Sequence, residues 1–246
     1  MRPILILGGT TEASQLAAAL DARQIPAILS YAGRTAAPRA QPVPVRIGGF
    51  GGADGLAAWL RTQNIGRVID ATHPFAAQIS RNAIAASAMT GVPLLVLERP
   101  AWVRAAADRW TRVADIAAAV AALPPRAHRI FLAIGRQHLA AFAARRHHYL
   151  LRLVDPPTDP LPLPDCHVEI ARGPFDVTAD IGLLRDHRID LIVAKNAGGT
   201  GAEAKLTAAR TLGLPVIMID RPVLPPRDVV ATVSDVLARL HADLGV

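Results

Sequence analysis

Residues 4–13 read Ile-Leu-Ile-Leu-Gly-Gly-Thr-Thr-Glu-Ala and predict a buried strand, a tight turn and the start of a helix. The helix continues to residue 23, with Leu16 and Leu20 on one face. Small residues in such a turn let a phosphate approach the backbone, and the helix N-terminus offers unpaired N–H groups. A plain turn in which a threonine caps the helix would use the same residues. The candidate phosphate-binding residues are Gly8, Gly9, Thr10, Thr11 and Glu12.

Short apolar strands and alanine- and leucine-rich helices alternate along the rest of the chain. Strands are predicted in the first half at residues 3–7, 26–31, 43–47, 66–70 and 93–97. In the second half they are predicted at residues 110–113, 129–133, 149–154, 168–172, 190–194 and 215–219, before a last helix at 229–240. This alternation is typical of parallel sheets. We therefore predict an α/β fold: two Rossmann-like parallel-sheet domains, residues 1–110 and 111–246, with a cleft between them.

The composition is that of a folded protein without disulfides. The 246 residues are 51% hydrophobic with a mean hydropathy of +0.28, which excludes a disordered chain. A single cysteine, Cys166, excludes an internal disulfide and a metal centre built from cysteines. The longest uncharged stretch, residues 82–97, is too short and too broken by Gly91 and Pro93 to span a membrane. Since the N-terminus also lacks the apolar region of a secretory signal, we expect a cytoplasmic protein with no membrane partner.

The charge balance is strongly basic, with 27 lysine and arginine residues against 20 acidic ones. Lys195 and Lys205 are the only lysines. A GC-rich coding bias would explain many of the arginines. A phosphate cofactor or a polycarboxylate substrate would also explain them, because a guanidinium pairs bidentately with both groups. Nucleic acid is disfavoured as a partner, because aromatic residues make up only 4% of the chain and do not alternate with basic clusters.

The end of the second predicted strand bears on the choice of nucleotide. It reads Ser30-Tyr-Ala-Gly-Arg34, and no carboxylate occurs in residues 24–47. Enzymes that use NADH place an acidic residue here against the ribose hydroxyls, whereas arginine or small polar residues accommodate the additional phosphate of NADPH. Ser30 and Arg34 therefore favour NADPH, although Arg34 would also fit an ordinary solvated position.

The sequence Asp-Ala-Thr-His-Pro-Phe-Ala follows the fourth predicted strand at residues 70–76. Open parallel sheets bind ligands at this edge. Thr72 is a candidate helix cap, and His73 could hydrogen-bond a ligand or move a proton near neutral pH. The alternative is a simple capping turn with Pro74 at the first helical position.

Two further strand ends carry basic residues. Arg99, in Glu-Arg-Pro after the fifth strand, would pair with an acidic ligand or, equally well, with a glutamate. In the second half, Lys-Asn-Ala-Gly-Gly at residues 195–199 lies between a strand and a helix, and its glycines would free backbone N–H groups for an anion. A plain flexible turn is the alternative there. The candidate binding residues are Arg99, Lys195, Asn196, Gly198 and Gly199.

Several catalytic motifs are absent from the sequence. Neither Tyr31 nor Tyr149 is followed four residues later by lysine, so the catalytic pair of short-chain dehydrogenases is missing. There is no Gly-x-Ser-x-Gly elbow and no His-Glu-x-x-His. His147 and His148 have no further ligand at a typical metal spacing. We therefore predict no metal site.

Taken in order, four segments resemble the precorrin-6A reductase family of cobalamin biosynthesis. They are Gly-Gly-Thr-Thr-Glu-Ala, Asp-Ala-Thr-His-Pro-Phe-Ala, Glu-Arg-Pro and Lys-Asn-x-Gly-Gly, and the resemblance spans residues 3–222. The family usually has serine where Ala197 stands here. The resemblance implies NADPH-dependent reduction of one carbon–carbon double bond in a tetrapyrrole that carries many carboxylate side chains. A related enzyme of the anaerobic route acts on the cobalt-bearing substrate, so the sequence leaves the presence of cobalt open.

The resemblance also implies roles for the candidate residues. NADPH would lie along residues 8–12, with its adenosine phosphate near Ser30 and Arg34 and its nicotinamide near Thr72 and His73. His73 is the first candidate for a proton donor. The substrate carboxylates would bind His73, Arg99, Lys195, Asn196, Gly198 and Gly199. We expect a monomer. The alternatives are another nucleotide-dependent reductase or transferase of this fold, and a binding protein without catalytic activity.

Overall fold

The computed structural model describes residues 1–33 and 40–244, so the candidate residue Arg34 lies outside the described residues. The chain divides into two compact units. One consists of Met1–Pro100 together with Val223–Val246, and the other of Ala101–Pro222.

The first unit alternates strands and helices. In chain order its first elements are β1 (Ile4–Leu7), α1 (Thr11–Asp21), β2 (Ala27–Tyr31), β3 (Val45–Ile47), α2 (Gly52–Thr62), β4 (Arg67–Asp70), α3 (Ala77–Thr90) and β5 (Leu94–Leu97). β1 is buried along its whole length, with Ile4 and Ile6 in the core cluster of α1 and Leu5 and Leu7 in that of α2 and α3. A strand covered on both faces needs an unbroken apolar run, which explains why the opening sequence does not alternate with polar residues.

The second unit repeats this plan. Its elements are β6 (Arg109–Val113), α4 (Ile116–Ala121), β7 (Arg129–Ala133), a 3₁₀ helix (Arg136–Phe142), β8 (His148–Leu153), β9 (Cys166–Ile170), α5 (Val177–Asp186), β10 (Leu191–Lys195), a 3₁₀ helix (Thr200–Ala202), α6 (Ala204–Leu212) and β11 (Pro215–Ile219). The chain then returns to the first unit with β12 (Val229–Val230) and α7 (Val233–Leu244).

Each unit contains a parallel six-stranded sheet. The first sheet has the order β3-β2-β1-β4-β5-β12, which is the 3-2-1-4-5-6 arrangement of dinucleotide-binding folds. The second has the corresponding order β9-β8-β7-β10-β11-β6. The direction of winding reverses between β1 and β4 in the first sheet and between β7 and β10 in the second. Parallel sheets bind ligands at the carboxyl ends of the strands beside such a reversal.

The sixth position of each sheet is filled by a strand from an unexpected part of the chain. β6 comes before the other strands of its sheet, and β12 comes after the entire second unit. The sequence analysis placed residues 111–246 together in the second domain and predicted a single helix at 229–240. Instead, Val229 and Val230 pair with Val96 and Leu97 of β5, so residues from Val223 onward belong with the first unit. The added strand covers the edge that β5 would otherwise expose.

The last helix completes the core of the first unit. Val236 and Leu240 of α7 are 0% and 2% exposed and belong to the same core cluster as Leu16 and Leu20 of α1. Glu98 and Arg227 form an ion pair of 3.1 Å beside the junction of β5 and β12. Within the described ranges, no helix has the length and apolarity that a membrane crossing requires.

Replacing Leu240 by alanine tests the attachment of α7. The variant should lose about 2–5 kcal/mol of unfolding free energy, because it removes a fully buried side chain and leaves a cavity. Urea unfolding followed by circular dichroism would measure the loss. Arg239→Ala on the exposed face of the same helix is the control, since an exposed ion pair contributes about 1 kcal/mol or less. Equal stability of the two variants would contradict the packing described.

Candidate functional site

The turn between β1 and α1 depends on two glycines for different reasons. A Cβ on Gly8 would lie 2.5 Å from Cδ1 of Leu29, so a side chain there would require the buried Leu29 side chain to move. Gly9 has φ +120°, a conformation that side chains disfavour, and a Cβ there would meet no atom within 4 Å. The turn is therefore closely packed against Leu29 of β2 at Gly8 and has free space beside Gly9, where a ligand could approach the backbone.

Thr10 connects the two loops at the reversal of the first sheet. Its hydroxyl donates to the carbonyl of Ala71 after β4 at 2.7 Å and accepts from the N–H of Ala13 at 3.1 Å. Thr10 is thus the N-cap of α1 and a direct link to the neighbouring loop. Its hydroxyl proton is already used, so we assign the candidate anion donors to the backbone. The N–H groups of Thr11 and Glu12, in the first turn of α1, have no acceptor within the helix.

The loop after β4 is organised by Asp70, which is 2% exposed. Its Oδ1 accepts from the N–H and the hydroxyl of Thr72 at 3.1 and 2.6 Å. Its Oδ2 accepts from the hydroxyl of Ser80 on α3 at 2.6 Å. Asp70 therefore holds the loop against the helix, and the hydroxyl proton of Thr72 is directed to Asp70.

His73 is half-buried in the same loop. Its Nδ1 accepts from the N–H of Phe75 at 3.2 Å, so the neutral imidazole carries its proton on Nε2. The sequence analysis started the following helix at Pro74, but α3 begins at Ala77. Residues 74–76 form a turn closed by the N–H of Ala76 on the carbonyl of His73 at 2.7 Å. The turn orients the imidazole independently of α3.

Glu12 and Arg99, which the sequence analysis assigned to different ligands, pair with each other. Nη1 of Arg99 lies 2.7 Å from Oε2 of Glu12, and the two side chains are only 17% and 23% exposed. Arg99 follows β5 and Glu12 lies in the first turn of α1, so the pair joins two strand ends. The guanidinium offsets the negative charge that Glu12 brings to the turn after β1.

The structure adds one residue that the sequence analysis missed. Arg46 of β3 is the register partner of Ser30 in β2, and its Nη1 lies 3.4 Å from the Ser30 hydroxyl. The guanidinium donates to the carbonyls of Gly48 and Gly49 at 2.6 and 2.7 Å and stacks 3.8 Å from the ring centroid of Phe50. All three acceptors are uncharged, so they orient the positive charge without neutralising it.

Burial has an electrostatic consequence at Arg46. It lowers the pKa of the guanidinium, because desolvation disfavours the charged form. An anion bound beside Ser30 would oppose this effect. The signal that could have identified Arg46 was its position two residues before the Gly48-Gly49 pair, but only the strand register places it against Ser30.

In the second unit, the loop after β10 is built around Asn196 and Trp102. Oδ1 of Asn196 accepts from the Trp102 N–H at 2.8 Å, and Nδ2 donates to the Trp102 carbonyl at 3.1 Å. The Trp102 indole N–H donates to the carbonyl of Gly199 at 2.9 Å. Because Asn196 is 7% exposed, its side chain positions the loop instead of facing solvent.

Arg221, which lies two residues after β11, holds the same loop. It donates to the carbonyls of Asn196 and Ala197 at 3.0 and 3.1 Å. Gly198 and Gly199 have φ values of 69° and 74°, which require glycine or a strained residue. The loop is therefore held by hydrogen bonds from Trp102 and Arg221, with a half-buried lysine, Lys195, at its start.

The predicted residues thus fall into two groups at two sheet edges. The carboxyl-end edge of the first sheet carries Gly8, Gly9, Thr10, Thr11, Glu12, Ser30, Thr72, His73 and Arg99. The carboxyl-end edge of the second sheet carries Lys195, Asn196, Gly198 and Gly199.

Comparison with known proteins gives the family. The family model described as "Precorrin-6x reductase CbiJ/CobK" matches residues 3–241. A relative from Rhodobacter capsulatus named precorrin-6A reductase is 62% identical over 100% of this chain and 98% of its own. A relative from Priestia megaterium named cobalt-precorrin-6A reductase is 29% identical over 96% of this chain and 97% of its own. A solved structure described as CobK precorrin-6A reductase is 61% identical and has a TM-score of 0.95, covering 100% of this chain and 98% of that one.

These findings confirm the resemblance and the predicted α/β fold of two Rossmann-like domains. Since the family model extends over nearly the whole chain, the chain belongs to the precorrin-6x reductase family.

Proposed function

We propose that the protein reduces one ring double bond of precorrin-6A with NADPH, giving precorrin-6B in cobalamin biosynthesis. Family membership supports the reaction class. The cobalt-free substrate is supported by the large difference in identity between the relative named for precorrin-6A, at 62%, and the one named for cobalt-precorrin-6A, at 29%. We also propose a monomeric, cytoplasmic enzyme.

The observation that carries the cofactor assignment is the open turn at Gly9. A Cβ at Gly9 would meet no atom within 4 Å, and the first N–H groups of α1 beside it have no acceptor within the helix. A helix N-terminus after a parallel strand favours a pyrophosphate in both shape and charge. The residues present therefore fit a dinucleotide, and residues 9–12 would hold its pyrophosphate, because the Gly8 N–H already donates to the Ser30 carbonyl at 2.9 Å.

Ser30 and Arg46 would bind the adenosine phosphate that distinguishes NADPH from NADH. The guanidinium is oriented by neutral carbonyls and lies beside a hydroxyl at the end of β2, where an NADH enzyme would carry a carboxylate. A planar guanidinium also stacks on flat rings, as Arg46 already does on Phe50. Arg34 remains a second candidate for this phosphate.

When bound, NADPH would supply the hydride that adds to a ring carbon conjugated with an imine, and the ring nitrogen would take up a proton. The chain's contribution is orientation and electrostatics. Thr10 joins the two loops at the reversal, and Asp70 joins the second of them to α3. His73 would donate a proton from Nε2 in its imidazolium form, because a neutral imidazole is too weak an acid, and water is the alternative proton source. Glu12 is balanced by Arg99, so it does not repel a pyrophosphate.

The basic loop of the second unit is our proposed site for substrate carboxylates. Lys195 supplies charge, and Gly198 and Gly199 supply a backbone conformation that can present N–H groups to an anion. Asn196 would act indirectly, by holding Trp102 and the loop. Arg99 would contribute positive charge through its pair with Glu12 and would not bind substrate alone.

Turnover with defined reactants tests the proposed function. Pure protein, NADPH and precorrin-6A should together consume reduced nicotinamide and give a product with two more hydrogens, while omission of either reactant should stop the reaction. Mass spectrometry measures the two hydrogens added to the product, and nicotinamide absorbance measures the consumption of NADPH. Tight binding of NADPH without turnover of precorrin-6A would indicate another nucleotide-dependent reductase. Failure to bind either NADPH or NADH would favour a transferase or a binding protein.

Arg46→Ala should weaken the binding of NADPH by about 10- to 100-fold, because one charge-assisted phosphate contact is lost. Binding of NADH should change little, since NADH lacks that phosphate. Titration of nicotinamide fluorescence measures both constants. Arg23→Ala, an exposed arginine at the far end of α1, is the matched control. Equal weakening for the two nucleotides would assign Arg46 a structural role only.

His73→Gln tests the proton donor. If the imidazolium of His73 supplies the proton from Nε2, kcat of the wild type should decline toward alkaline pH. His73→Gln should then lower kcat by about 100-fold or more and abolish that decline. NADPH affinity should stay within a few-fold of wild type, because the pyrophosphate contacts are elsewhere. Wild-type kcat across the pH range would remove His73 from the mechanism and leave water as the donor.

A further inference from the structure

A cluster of metal-binding side chains lies in the second unit at residues to which the sequence analysis gave no role. His167 and Glu169 belong to β9, and His187 directly follows α5. Nε2 of His167 is 2.9 Å and Nε2 of His187 is 3.5 Å from the same carboxylate oxygen of Glu169. The potential ligand atoms all lie within 4.8 Å of one another.

The backbone brings these three residues together for clear reasons. His167 and Glu169 are two residues apart on a strand, so both side chains point to one face of the sheet. Their register partners on β8 are Leu150 and Arg152. Leu150 packs in a core cluster with Leu184 of α5, so this face is the one that α5 covers.

The helix end places His187 over the strand. Its N–H donates to the carbonyl of Leu183 at 3.2 Å, which closes the last turn of α5, and its own carbonyl accepts from the guanidinium of Arg129. The imidazole centroids of His167 and His187 are 4.6 Å apart. The three side chains are thus positioned by β9, by the end of α5 and by the hydrogen bond from Arg129 to the His187 carbonyl.

Two imidazoles and one carboxylate form a donor set that suits Zn²⁺ and similar divalent metals. Bonds of about 2.0–2.1 Å in a tetrahedral site place the ligand atoms about 3.3 Å apart. The separations of 2.9 and 3.5 Å from Glu169 bracket that value. An ion could therefore bind after small rotamer changes, with no movement of the backbone.

We propose that His167, Glu169 and His187 form a binding site for a divalent transition metal, with Zn²⁺ the expected ion and solvent as the fourth ligand. The side chain of His167 is 49% exposed, which leaves the fourth position open. Coordination through Nε2 requires that nitrogen of each imidazole to be free of its proton. The metal would fasten β9, the edge strand of its sheet, to the end of α5. The sequence analysis predicted no metal site, because ligands at 167, 169 and 187 match no short spacing motif.

Calorimetric titration of the full chain with ZnCl₂, after removal of any affinity tag, tests the site. One Zn²⁺ should bind per chain, and His167→Ala and His187→Ala should each weaken binding by about tenfold or more. Glu169→Gln, which keeps the shape of the side chain, should also weaken it. His241→Ala, an exposed histidine on α7, is the control and should bind as the wild type does.

Two further readouts keep the test independent of folding defects and of reductase activity. Zn²⁺ should raise the Tm of the wild type and not that of the His167→Ala/His187→Ala double variant, since binding to the folded state alone stabilises it. Co²⁺ should give the intense visible absorption of a four-coordinate site in the wild type. Undiminished Zn²⁺ binding in the double variant, or a weak six-coordinate Co²⁺ spectrum in the wild type, would overturn the proposal. Unaltered turnover of precorrin-6A in the single variants would show that this result is separate from the proposed function.

Discussion

The hydrogen bond from the Thr10 hydroxyl to the Ala71 carbonyl is the constraint on which the site of the first unit depends. It joins the loop after β1 to the loop after β4, the two strands between which the winding of the sheet reverses. The same oxygen caps α1 through Ala13, so one side chain sets both the helix start and the separation of the loops. Because this hydroxyl is used, the backbone N–H groups at Gly9 and in the first turn of α1 are the candidate donors for an anion.

Charge is arranged around this turn in pairs. Glu12 would repel a pyrophosphate if it stood alone, and Arg99 balances it at 2.7 Å. Glu98 is balanced in the same way by Arg227 from the returning C-terminal segment. Arg46 differs, because neutral carbonyls and an aromatic ring hold it. The unit therefore presents one oriented positive charge beside Ser30, which agrees with the preference for NADPH that the missing carboxylate in β2 predicts.

Local patterns made the core of the fold predictable, and long-range pairing accounts for what was missed. The strand, turn and helix of residues 4–13 could be predicted because apolar runs and small turn residues act within a few positions. β12 could not, since two valines carry no periodic signal and pair with β5 more than a hundred residues away. The role of Arg46 depends on the register of β2 against β3, and the roles of Asn196 and Glu12 depend on partners in distant segments. The described candidate residues therefore lie near strand ends, as the local patterns indicated, while the partners of their side chains required the structure.

A structure of the chain crystallised with NADP⁺ is the most direct test of the central claim, which is that the turn after β1 holds the dinucleotide. We expect the pyrophosphate on the N–H groups of residues 9–12 and the adenosine phosphate within hydrogen-bond distance of Ser30 and Arg46. A pyrophosphate bound instead to residues 195–199 of the second unit would contradict it.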